Sequence, residues 1–368
     1  MHAVIAIRTD YGGKIGSGHW VRTNTLADEL SHRGHRVVFF VRNQSISQDK
    51  PTSQHEVIWL PKYSNTHTHN NSAPTTMMHP DFLPMGEDSD FIEFSASLRD
   101  SCLGIDLLLT DHYGITSKWQ RKARAVARWL VAIDDLADRQ IETDLLLDQN
   151  FYAHQSIRYL DLIPRNAITL LGPDFALLRP TFTGGEIPLN MTKRPAAGKA
   201  IVCFGSNEFG SFNLDVTEII LERSNLNVLV LGIPSPDLEF SWNQLRLRFP
   251  NRIDGPRFAE NPANLLRDAS LFIGSGGSIT WERYAVGLPG AVFAIAKNQE
   301  RMNQDAAEAG LHLYLGTPHQ FDPDKLAQVV RQLSTPEVRL PMIKKMMNLV
   351  DGKGTARVAD AIEKLMAP

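Results

Sequence analysis

A short apolar run that ends in a glycine-rich turn and opens a helix occurs in both halves of this chain, and that unit constrains its fold most. Residues 3–7 pass through Arg8-Thr9-Asp10 into Lys14-Ile15-Gly16-Ser17-Gly18-His19, after which Leu26, Ala27 and Leu30 recur at helical spacing until Gly34. Residues 37–41 follow as a second apolar run. Strand, crossover helix and parallel strand form the unit of doubly wound folds. In the second half, residues 271–273 lead into Gly274-Ser275-Gly276-Gly277-Ser278 and then Trp281-Glu282-Arg283. Loops at the carboxyl ends of parallel strands converge on a crevice, and glycine there lets backbone N–H groups approach a ligand. The helix that follows adds unpaired donors and the positive end of its dipole, which favour phosphate. Gly16, Ser17, Gly18 and His19 are therefore candidate site residues on the first turn, and Gly276, Gly277 and Ser278 on the second.

The same rhythm continues between and after these turns. Residues 105–110 read as a strand into Asp111-His112-Tyr113-Gly114, residues 129–133 as one into Asp134-Asp135, and residues 145–147 as one into Asp148-Gln149-Asn150. Residues 200–204 lead into Gly205-Ser206-Asn207, and residues 291–295 into Lys297-Asn298-Gln299. Asp134-Asp135 reads as a helix-capping pair. The expected class is α/β, with two Rossmann-like domains and a cleft between them. The first domain spans residues 1–180 and carries a polar insertion at 44–90, in which only residues 57–60 read as a strand; residues 181–199 form a linker, and residues 200–340 form the second domain. A C-terminal helix at 341–368, with Met342, Ile343, Met346, Met347 and Val350 as its stripe, is expected to pack back across the boundary.

Several classes are set aside by composition. A formal net charge of -3 carries no polyanion-binding signature, so nucleic acid is not an expected partner. No apolar run is long enough to span a bilayer and no leader-like segment opens the chain, so the expected location is the cytoplasm. Cys102 and Cys203 read as buried free thiols rather than a disulfide or metal pair. His55, His67, His69 and His79 fit no metal-ligand spacing and read as solvated loop residues, so no metal is expected. The first turn lacks the third glycine of the dinucleotide fingerprint, and the second strand ends at Arg42-Asn43 without a carboxylate for a ribose. No nicotinamide or other cofactor is expected.

Ile15-Gly16-Ser17-Gly18-His19 with Arg22, then Asp111-His112-Tyr113, the block 133–139, the block 144–150, Leu177-Leu178-Arg179-Pro180, Gly276-Gly277-Ser278 with Trp281-Glu282-Arg283, and Asn298-Gln299 occur in one order. In that order they resemble the UDP-sugar hydrolase family of pseudaminic acid biosynthesis. That family is related to the B-type glycosyltransferases and to the enzyme that adds N-acetylglucosamine to the peptidoglycan lipid precursor. The resemblance implies a UDP-sugar substrate, with His19 as the catalytic base. It gives Gly276, Gly277 and Ser278 to the diphosphate, Glu282 to the ribose or uridine side, and Asn298 with Gln299 to the sugar or its phosphate. Gly205 and Ser206 stand where the family has a Gly-Gly-Ser-Asp-Pro turn. Asp10 and Asp111 both qualify to orient the His19 ring. Arg22 reads equally as an ion-pair partner or a phosphate ligand, and Tyr113 as a pocket wall or a cover of the cleft floor. The implied reaction is hydrolysis of the anomeric C–O bond with inversion. A glycosyltransferase with a non-water acceptor is the alternative, and a binding protein without catalysis the third.

Overall fold

The structure is a computed structural model that describes residues 2–12, 15–44, 52–62, 77, 79–183, 198–205, 209–232, 235–259 and 261–367. Its contacts separate two compact units, one of Met1–Asn150, His154–Arg179 and Lys353–Pro368, the other of Phe151–Ala153 and Pro180–Gly352. The first holds strands β1 (Val4–Tyr11), β2 (Arg36–Asn43), β3 (Glu56–Trp59), β4 (Leu107–Asp111), β5 (Trp129–Ile133), β6 (Leu145–Asp148) and β7 (Ile168–Leu171). They form one parallel sheet in the order β3-β2-β1-β4-β5-β6-β7. Helices α1 (Gly18–His32), α2 (Gly86–Asp100) and α3 (Ser117–Ala123) connect these strands. Side-chain alternation along β1 divides the core: Ile5 and Ile7 join Leu26 and Leu30 of α1, whereas Ala6 joins Phe94 of α2 and Trp119 of α3. Gly34, with φ +92, stops α1 in the left-handed region that glycine adopts without steric cost.

In the second unit, β8 (Lys199–Gly205), β9 (Asn227–Gly232), β10 (Ile253–Arg257), β11 (Leu271–Ser275), β12 (Gly290–Phe293) and β13 (Leu313–Tyr314) form a parallel sheet ordered β10-β9-β8-β11-β12-β13. Helices α4 (Gly210–Arg223), α5 (Glu239–Arg248), α6 (Ala263–Asp268), α7 (Ile279–Ala285), α8 (Lys297–Glu308), α9 (Pro323–Leu333) and α10 (Pro336–Leu349) belong to it. The strand order reverses between β1 and β4 in one sheet and between β8 and β11 in the other, the positions where doubly wound sheets bind ligands.

Three expectations are corrected. Residues 341–368 are not one helix: α10 ends at Leu349, Gly352 turns the chain with φ +77, and α11 (Gly354–Met366) adds Val358, Ala359 and Ile362 to the first unit's core. The stripe of Met342, Ile343, Met346 and Met347 lies on α10 with Val350 at its C-cap, and α11 is a separate helix. Within the stretch 44–90 the strand expected at 57–60 is present as β3, but α2 already begins at Gly86, so the end of the stretch is not insertion; the polar opening of α2, Glu87-Asp88-Ser89-Asp90, hides its periodicity. His67 and His69 of that stretch lie outside the described residues. Finally, Cys102 is exposed with φ 54 rather than buried; Cys203, partly buried, is a free thiol as well.

Charge is buried where the sheet carries its site. Arg8 of β1 and Arg42 of β2 meet on Asp90 of α2, at 2.6 Å and 3.0 Å from Oδ1, and the Trp119 indole N–H donates to Asp90 Oδ2 at 3.0 Å. Arg8 also pairs with Asp10, which accepts from the His112 ring at 3.1 Å. Burial penalises these charges, yet the guanidiniums hold the Asp10 and Asp90 carboxyls below the usual range. Asp90→Ala removes a carboxylate from two buried guanidiniums at once. It should destabilise the protein by roughly 3–5 kcal/mol, read by denaturant unfolding.

Candidate active site

In the first unit the site is built on β1, α1 and β4. The chain leaves β1 and folds back so that Gly12 N donates to Gly16 O at 2.9 Å, with both glycines at positive φ. Ser17, exposed, takes the N-cap position of α1, but its hydroxyl makes no capping hydrogen bond. The first turn of α1 then places His19 and Arg22 on one face, three residues apart. Both reach Asp111, the last residue of β4 and wholly buried.

The contacts at Asp111 define the chemistry. His19 Nδ1 lies 2.6 Å from Asp111 Oδ1, and Arg22 clasps the same carboxylate through Nε at 2.7 Å and Nη2 at 2.6 Å. Arg22 Nη1 donates to Asp135 Oδ2 at 3.0 Å. Burial would raise the Asp111 carboxyl, but the Arg22 guanidinium and the His19 ring outweigh it and hold the group well below the usual range. An ionised Asp111 accepts the Nδ1–H, so the lone pair of the ring lies on Nε2, which has no hydrogen-bond partner among the described residues. Of the two aspartates open to this role, the structure gives it to Asp111; Asp10 is committed to Arg8 and His112. Tyr113 stands edge-on to His19, with ring centroids 4.5 Å apart. Burial and the neighbouring Asp135 push its phenol well above the ordinary value, so it stays protonated and donates to that carboxylate.

Asp134-Asp135 is not a helix cap, since no helix follows β5. Asp135 instead closes the Arg22 fork, and Asp134 accepts from Ala137 N at 2.9 Å and pairs with Arg139 at 2.7 Å. The sequence signal was its place at a strand end, outweighed by its capping-type composition. Beneath it, the Tyr159 hydroxyl lies 3.0 Å from Asp134 Oδ2 and 3.1 Å from Asp148 Oδ2. One phenol hydrogen cannot serve two carboxylates. Burial, opposed by Arg158 and helped by Asp135 and Asp134, pushes the Asp148 carboxyl up to about 7, so below that pH Asp148 is protonated and its hydrogen is available to the phenol, which then donates to Asp134.

In the second unit, β8 ends at the exposed Gly205, whose φ is +76; Ser206 lies outside the described residues. Next to it, β11 runs into Gly276-Gly277. A Cβ on Gly276 would stand 2.0 Å from Asn303 Oδ1, so packing demands glycine there. Ser278 takes the N-cap position of α7 without a side-chain capping bond. Glu282 is half-buried on α7, while its neighbours Trp281 and Arg283 are core residues; Arg283 donates to Leu288 O at 2.9 Å. On α8, Asn298 is half-buried, and Gln299 spends its Oε1 on Ile295 N at 3.1 Å. Its Nε2 stays beside Gly277. The structure thus brings His19, Arg22, Asp111 and Tyr113 together in one unit, and Gly276, Gly277 and Gln299 in the other.

Two parallel doubly wound units, each with a glycine turn where its strand order reverses, give this chain the GT-B fold of the B-type glycosyltransferases. No family model matches the chain. It is similar to the spore coat polysaccharide biosynthesis protein SpsG of Bacillus subtilis, with 24% identity over 374 residues that cover 98% of each chain. Among solved structures it is similar to MurG of Acinetobacter baumannii, with a TM-score of 0.67, 11% identity and coverage of 99% of this chain and 100% of that one. It is also similar to UGT2 of Phytolacca americana, solved with UDP-2fluoro-glucose and pterostilbene, with a TM-score of 0.67, 15% identity and coverage of 99% and 100%. Among the described residues no helix is long and apolar enough to cross a membrane.

Two predictions follow from this packing. Because the Asp148 carboxyl titrates higher folded than the ordinary ~4 of an unfolded chain, its contribution is complete below that value and is lost as pH rises to about 7, at about 1.4 kcal/mol per unit at most. Asp148→Asn keeps the acceptor for Asn150 N and presents an amide to Tyr159, so it should flatten this slope and raise Tm above pH 7 relative to the parent. Separately, Gly276→Ala should lose about 1–3 kcal/mol through overlap with Asn303. Gly277→Ala, whose Cβ would meet only Gln299 Nε2 at 3.5 Å, should stay within about 0.5 kcal/mol in the same thermal melts.

Proposed function

We propose that this protein is an enzyme acting on a UDP-sugar, and that it hydrolyses the anomeric C–O bond with inversion. The substrate we infer is UDP-2,4-diacetamido-2,4,6-trideoxy-β-L-altrose or a close relative. The observation that carries the reading is the 2.6 Å contact between His19 Nδ1 and an Asp111 already clasped by Arg22, because it leaves Nε2 as a basic nitrogen. In this reading a water attacks the anomeric carbon, His19 Nε2 takes its proton, and UDP departs with the electron pair of the broken bond. Asp111 fixes the tautomer and stabilises the imidazolium that forms. Gly276, Gly277, Ser278 and Gln299 serve the diphosphate, Glu282 the ribose and Asn298 the sugar side. No metal or other cofactor is assigned.

Supporting evidence comes from the motif order, from similarity to a polysaccharide biosynthesis protein, and from GT-B neighbours, one of them solved with a UDP-sugar analogue. Those neighbours include glycosyltransferases, which keeps a second reading in view: the same base would activate an acceptor hydroxyl in place of water.

Phosphorus NMR of UDP release without added acceptor tests the choice. The parent should release UDP from the trideoxy sugar nucleotide. His19→Ala should slow this by roughly a hundred- to ten-thousandfold while UDP affinity is kept, and Asp111→Asn should also slow it sharply. Release only on addition of an acceptor would establish the transferase. Equal release by the parent and His19→Ala would remove His19 from the mechanism.

A further inference from the structure

A group of aromatic rings stands beside His19, and two of its members come from the polar stretch rather than from any motif shared with the resembling family. His79 is stacked on Tyr113, with centroids 5.3 Å apart and planes at 21°, and on Phe82, at 4.8 Å and 30°. Phe82 and Tyr113 are themselves near-parallel, at 5.8 Å and 23°. Three rings thus share one orientation, and the inner one meets the His19 ring edge-on. Phe82 is buried at the end of a short 3-10 helix, Pro80–Phe82, and supports the group from behind. His79 is only half-buried; its carbonyl accepts from Phe82 N at 3.3 Å, and its ring makes aromatic contacts but no hydrogen bond among the described residues.

A flat ring held by two others, partly open and next to a candidate base, has the form of a stacking platform. The negative face of an aromatic ring attracts the C–H groups on the apolar side of a pyranose, and the contact grows as hydroxyls are removed from that side. We propose that His79, backed by Phe82 and Tyr113, is a substrate-contacting residue that stacks on the sugar of the nucleotide sugar and selects deoxygenated rings over fully hydroxylated ones. This rests on the UDP-sugar reading of the His19 site. Burial lowers the titration of His79 from the ordinary histidine value, with His19 and Arg139 adding to the effect and Asp138 and Asp135 opposing it, so near neutrality the ring offers an uncharged face.

Saturation-transfer NMR of the trideoxy UDP-sugar on His19→Ala protein reads the contact without turnover. The sugar C–H signals should be strong, should fall about threefold or more when His79→Ala is added, and should return with His79→Phe, while the uridine signals stay constant. On the otherwise unaltered protein, His79→Ala should raise KM about three- to tenfold with kcat changed less than about threefold, and His79→Phe should restore KM. It should also narrow the preference for the trideoxy sugar over UDP-N-acetylglucosamine. Sugar signals that are indifferent to His79→Ala, with uridine signals intact, would overturn the proposal and leave the UDP-sugar reading standing. Failure of His79→Phe to restore them would replace stacking with a polar role. Absence of uridine signals from the parent would overturn the nucleotide reading and this one with it.

Discussion

The buried carboxylate of Asp111 is the contact on which the first unit's site depends. It ends β4 inside a sheet, where an isolated charge is unfavourable, and it is ionised because Arg22 grips it through two nitrogens and His19 adds a further contact. The same charge determines which nitrogen of His19 carries hydrogen. Arg22 in turn needs a second anion, which Asp135 supplies and the Tyr113 phenol helps to hold. One ion pair therefore sets the position of a helix turn, two strand ends and the tautomer of a histidine.

Behind this centre lies a second layer of buried charge. Arg8, Asp10, Asp90, Arg42 and His112 neutralise one another across β1, β2 and α2, and none of them reaches His19 directly. Hydrophobic residues of the same volume would stabilise the sheet as well or better. What the charged layer adds is direction. His112 sits between Asp111 and Tyr113 in sequence, and its bond to Asp10 fixes the backbone that carries both. Polar connections of this kind hold a strand end to a narrower set of positions than apolar packing does, and a histidine whose Nδ1 meets one carboxylate oxygen requires that precision.

The GT-B fold was legible because parallel strands buried on both faces write themselves as short apolar runs, and the turns after them announce themselves through glycine. Asp111 was legible as a candidate because it sits at such a run's end, His19 because it opens the helix after a glycine turn, and Arg22 through the motif order of the resembling family. Their pairing was not, since Asp10 stands at an equivalent strand end and only three-dimensional contact separates the two. Asp135 was mistaken for a cap because its composition is that of a cap. His79 was read as a solvated loop residue and Phe82 was not singled out, for a different reason: their stretch has no periodicity, and the stack they form with Tyr113 joins residues that sequence spacing does not relate.

The glycines separate into two kinds, and the difference bears on function. Gly16 and Gly205 adopt positive φ, and Gly274 and Gly276 have Cys203 O and Asn303 Oδ1 where a Cβ would stand, so the fold itself accounts for them. Gly18 and Gly277 have neither cause. Their φ values are ordinary, Gly18 faces open space among the described residues, and Gly277 would meet one amide at normal contact distance. At the first position of α1 a glycine even weakens the helix relative to alanine, by about 1 kcal/mol at most. A residue that costs stability and relieves no strain is explained by what its missing side chain leaves bare. Here that is backbone at the start of a helix in each unit, which the proposed UDP-sugar reading uses for close approach of a diphosphate to N–H groups.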